Sequence, residues 1–111
     1  MKVKIGEIFR RSWGYDQTNV DYFQVVALKA KTVVVREINH REVPGSNQGG
    51  MSCNVVPVKD SFDESKLPRQ VRIAVGHEGS PVLVVGPSKW AQLVPANTDG
   101  TYPHSYCSWY A

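Results

Sequence analysis

The chain has 111 residues, 41% of them apolar and 21% charged, which suits one soluble domain with a modest core and excludes wholesale disorder. Thirteen Lys and Arg against ten Asp and Glu leave a formal charge of +3, too mild a surplus to demand nucleic acid or an acidic partner. No stretch approaches the roughly 18 continuous apolar residues of a membrane helix. The start, from Met1 to Glu7, carries no apolar run of the kind a signal peptide needs, so a cytoplasmic location is expected.

β-branched residues come in short bursts, and no segment carries a long amphipathic helical stripe. Glu7 to Trp13 reads as a first strand, with Phe9, Arg11 and Trp13 on one face and Ile8, Arg10 and Ser12 on the other. Val20 to Lys29 reads as a second strand. Phe23, Val25 and Ala27 face inward there, and Tyr22 and Gln24 face outward to solvent. Lys31 to His40 is a third, joined to the second by a short hairpin through Lys29-Ala30-Lys31.

Pro44 to Gly50 is too rich in Gly, Pro and Asn for a strand and is expected to be a mobile loop. Extended structure resumes from Cys53 to Val58. Asp60 to Ser65 has the polar start of a single helical or 3₁₀ turn. Val71 to Val75 alternates as a half-buried strand. Val82–Val85 and Trp90–Val94 flank Gly86-Pro87-Ser88-Lys89 as a second hairpin. Residues 95–111 form an irregular aromatic tail, whose rings either seal one end of the fold or support self-association.

Short strands with turn chemistry between them predict a mainly β fold in a single domain, residues 1–111. A small, strongly bent SH3-like barrel of five or six strands is the first choice. An OB-like barrel or a small sandwich is the alternative.

The richest stretch for function lies between the first two strands. Trp13, Tyr15, Asp16, Gln17, Thr18, Asn19, Asp21, Tyr22 and Gln24 crowd aromatic and hydrogen-bonding groups into one loop and the strand after it. Aromatic faces stack on bases or attract cations, and amides and carboxylates fix orientation. The competing reading makes Trp13 a core plug and the Asp and Asn residues loop braces.

A second set, Arg10, Arg11, Arg36, His40 and Arg41, forms a basic patch if one face holds them all. Interleaved Glu7, Glu37 and Glu42 dilute it, and a salt-bridged barrel face explains the same pattern. The Gly49-Gly50 and Gly86–Lys89 stretches lack phosphate-loop spacing. His40, His77 and His104 are scattered, and Cys53 and Cys107 follow no metal-ligand spacing. No metal or cofactor is expected. Two free thiols are the simplest account of the cysteines, with a disulfide left open.

Gly6-Glu7-Ile8, the run from Ser12 to Asp21, Gln24-Val25-Val26 and the strand from Thr32 to Ile38 cover about the first third of the chain. In these segments the protein resembles a family of small, mostly uncharacterised proteins encoded by bacteriophages, prophages and plasmids. The resemblance implies a mobile-element origin and supplies no catalytic residues.

The expected function is therefore a non-enzymatic binding module, with a host or phage protein favoured as partner. A nucleic-acid-binding module is the alternative. A metal-dependent enzyme acting on a nucleotide or nucleic acid through Asp16 and Asp21 is the third reading.

Overall fold

The computed structural model describes residues 3–13, 19–43, 52–75, 80–86, 89–103 and 105–108, with residues 13, 19, 52, 53 and 105–108 described by their backbone alone. The described residues form eight strands: β1 (Ile8–Trp13), β2 (Asn19–Leu28), β3 (Thr32–Glu42), β4 (Ser52–Phe62), β5 (Arg69–Val75), β6 (Pro81–Gly86), β7 (Lys89–Val94) and β8 (Ser105–Ser108). Six of them, β1, β2, β3, β5, β6 and β7, close into an antiparallel barrel, because β1 pairs with both β2 and β7, and β2 also pairs with β3. The mainly β barrel expected from the turn pattern is the fold, with a strand number inside the expected range.

Alternation builds the barrel interior. Phe9, Phe23, Val25, Val33, Val35, Val71, Leu83, Val85 and Ala91 point inward from all six strands and are buried. Each fully buried side chain of this size stabilises the fold by roughly 1.5–3 kcal/mol. Gly6, at φ +93°, turns the chain between buried Val3 and β1, and its N–H donates to the Val25 carbonyl at 2.8 Å. A side chain at that φ would be strained.

β3 is long enough to serve two neighbours along one edge. Thr32–Val35 pairs with β5, and the stretch from Ile38 to Glu42 pairs with β4. β4 thus leaves the barrel wall and, with β8 beyond it, forms a flap over the outside of β1 and β2. Beneath the flap lies a second core of Ile8, Val20, Tyr22, Ile38, Val55 and Val94, with Phe62 and Tyr102 packed against it. β2 is consequently buried on both faces.

Three expectations need correction. Tyr22 and Gln24 do face out of the barrel, but the flap covers them, leaving 0% and 4% of their surface exposed. The stretch from Asp60 is not a helical start, since β4 continues to Phe62. The turn comes later, where Lys66 N–H donates to the Asp63 carbonyl at 3.0 Å and Asp63 Oδ1 accepts from Ser65 N–H and Oγ. The tail is not wholly irregular either: it contributes β8, antiparallel to β4. The Pro44–Gly50 loop lies outside the described residues.

Candidate functional site

The β1–β2 hairpin stands at one end of the barrel. Trp13 is the register partner of Asn19, closing the ladder below the connecting loop. Tyr15, Asp16, Gln17 and Thr18, with the side chains of Trp13 and Asn19, lie outside the described residues. Their immediate foundation is described, however, and it is charged.

One step below Trp13 and Asn19 comes the pair Ser12 and Val20, and next Arg11 opposite Asp21. The Arg11 guanidinium lies 3.8 Å from the Asp21 carboxylate, both side chains being partly exposed. These two residues open a cleft of about 400 Å³ across the barrel mouth, floored by Phe23 and Val85. Glu37 comes to it from β3, Lys66 from the β4–β5 turn, Arg69 from the start of β5, and Lys89 from the start of β7. Four cations thus face two carboxylates. Antiparallel meander topology explains the gathering, since every second strand end falls at the same rim.

Electrostatics within the cleft are uneven. Burial raises the Glu37 carboxyl above its ordinary pKa, the nearby Asp21 and Asp63 charges push the same way, and Lys66 and Arg69 oppose them. Arg69 is held in place by donating from Nη2 to the Val85 carbonyl. Lys66 and Lys89 are exposed. The rim carries surplus positive charge, which attracts anionic groups.

The other sequence-nominated residues are placed elsewhere. Tyr22 sits in the second core, its hydroxyl donating to the Val55 carbonyl at 3.5 Å and its ring tilted against His40 with centroids 6.1 Å apart. Gln24 is a brace. Its Nε2 donates to Asp60 Oδ1 at 2.7 Å, and its Oε1 accepts from the Asp60 N–H at 2.8 Å. Asp60 adopts φ +66°, within an irregular stretch where the β3–β4 register jumps between Ile38–Phe62 and His40–Pro57. Asp is among the few residues that tolerate that conformation, and the reciprocal pair holds it there.

The five basic residues do not share one face. Arg10 and Arg11 are neighbours on one strand and so fall on opposite faces. Arg36 lies over the Phe62 ring at 4.6 Å and pairs with Glu64 at 3.4 Å, outside the barrel. Arg41 borders a separate cavity of about 530 Å³ with Lys59 and Tyr102. Only Arg11 of the five reaches the mouth. The sequence reading missed Lys66, Arg69 and Lys89, which stand far from the hairpin in the chain and meet it only through strand order.

Among the described residues, no group of three or more His, Cys, Asp or Glu is arranged to hold a metal ion, and no helix is long and apolar enough to cross a membrane. No family model, curated protein or solved structure matches the chain significantly.

Proposed function

We propose that this protein is a non-enzymatic binding module of mobile-element origin, working in the cytoplasm. It engages a host or phage protein by an acidic segment laid across the barrel mouth. The observation that carries this reading is the convergence of Arg11, Lys66, Arg69 and Lys89 beside the 13–19 hairpin, on strands fixed by a closed barrel. Positive potential steers an acidic partner to the mouth. In this reading Trp13, Tyr15, Asp16, Gln17, Thr18 and Asn19 add to the contact, and Asp21 orients Arg11. In the same reading the barrel, an antiparallel meander whose β3 pairs with both β5 and β4, is SH3-like.

The same cations favour nucleic acid as the second reading, since lysine and arginine at a rim also track phosphates. An enzyme using Asp16 and Asp21 draws less support, because Asp21 already pairs with Arg11.

Fluorescence anisotropy separates these readings. A labelled polyglutamate peptide and labelled single- and double-stranded oligonucleotides are titrated with the protein at several salt concentrations. The Lys66→Glu, Lys89→Glu double variant, altered only at exposed positions, is expected to lose about tenfold or more in peptide affinity, near 1.4 kcal/mol. Tighter binding of an oligonucleotide with a steep salt slope would transfer the reading to nucleic acid. Equal binding of both probes by wild type and variant would remove the mouth as the site.

A further inference from the structure

The chain has two cysteines, and the fold brings them together. Cys53 on β4 and Cys107 on β8 are direct register partners in the antiparallel β4–β8 pair. Residues opposed in this way share a face of the sheet, with Cα atoms about 4.5 or 5.5 Å apart according to the type of pair. Both separations fall inside the roughly 4.4–6.8 Å range that a disulfide spans. The next register partners along β4 are Asn54 with Tyr106 and Val55 with Ser105, and Val55 is part of the second core.

We infer that Cys53 and Cys107 are a redox site: oxidation joins them in a cross-strand disulfide that clamps β8 to the flap. β8 is the last strand of the sheet order and, among the described residues, pairs with β4 through four register partners. The bond closes a loop of roughly fifty residues, long enough for the constraint on the unfolded chain to be substantial. The oxidant is a low-molecular-weight disulfide. One cysteine thiolate attacks it, forming a mixed disulfide and releasing one small thiol. The second thiolate attacks the protein-side sulfur, closing the Cys53–Cys107 bond and releasing the other small thiol. Two protein thiols are oxidised, one small disulfide is reduced, and their two protons leave on the released thiols. In a reducing compartment the pair is open, and an oxidising one shuts it.

The test is incubation of the full chain with oxidised glutathione, followed by intact-mass spectrometry and thermal melting. Wild type is expected to lose the mass of two hydrogens, retain no glutathione and stay monomeric. Its melting temperature should rise by roughly 10 °C and fall back on adding reductant. Cys53→Ser and Cys107→Ser should each retain one glutathione and show no such rise. Wild type that carries two glutathiones, dimerises through intermolecular bonds, or stays reduced where the single variants react would overturn the inference. An intramolecular bond without a shift in melting temperature would overturn the clamp.

Discussion

The outer wall of the barrel has two halves of opposite character. Over β1 and β2 the flap seals Ile8, Val20, Tyr22 and Gln24 into a second hydrophobic layer. Over β5, β6 and β7 no strand is laid among the described residues, and Trp90 stands 61% exposed in register with Val84, itself opposite Arg72. A large ring is thus buried under the flap, as Tyr22 is, and exposed where no described strand covers it, as Trp90 is. The difference lies in strand length. β3 outruns β5 and offers its surplus edge to β4, and among the described residues only the strands under β4 are covered.

The sharpest way to break this contrast is to remove Tyr22. Tyr22→Ala should destabilise the protein by about 3–5 kcal/mol in urea unfolding, as expected for an aromatic deleted from a core. A loss below about 1 kcal/mol would mean that the flap is not packed in solution. Gln24→Ala comes next. It strips both hydrogen bonds from Asp60 and should cost about 1–3 kcal/mol, with faster amide exchange in β4 as a second readout.

Glu37 tests the mouth and gives a smaller effect with a pH signature. Its raised pKa means the folded protein holds that proton more firmly than the unfolded chain. Stability from this group is therefore full below the ordinary carboxylate range and is lost as pH rises through the raised folded value. Glu37→Gln should gain about 1–2 °C in melting temperature at neutral pH and nothing near pH 3. An equal gain at both pH values would assign the effect to packing instead. The smallest effect belongs to the bare wall: Trp90→Ser should change stability by no more than about 0.5 kcal/mol. A larger loss would show that this half of the wall is covered too.

Much of the architecture is legible in the chain. Lys29-Ala30-Lys31 and Gly86–Lys89 mark their hairpins, and alternation through Phe23 and Val25 identifies the barrel interior. Alternation misleads on the other face of β2, because a polar Gln24 and an amphipathic Tyr22 look solvent-directed when their partners are unknown. Those partners, Asp60 and Val55, lie more than thirty residues downstream. β8 was hidden for a similar reason: Ser-Tyr-Cys-Ser has no strand pattern of its own and becomes a strand by pairing with β4. The mouth was legible only at the hairpin, since Lys66, Arg69 and Lys89 carry no local signal.

On the proposed reading an acidic partner seats on the barrel mouth and on neither half of the outer wall. Amide chemical-shift mapping during titration with the polyglutamate peptide tests it most directly. Shifts should concentrate at Arg11, Asp21, Glu37, Lys66, Arg69 and Lys89, with Trp90 and Arg72 unmoved. Shifts confined to Trp90, Val84 and Arg72, or no shifts at all, would contradict it.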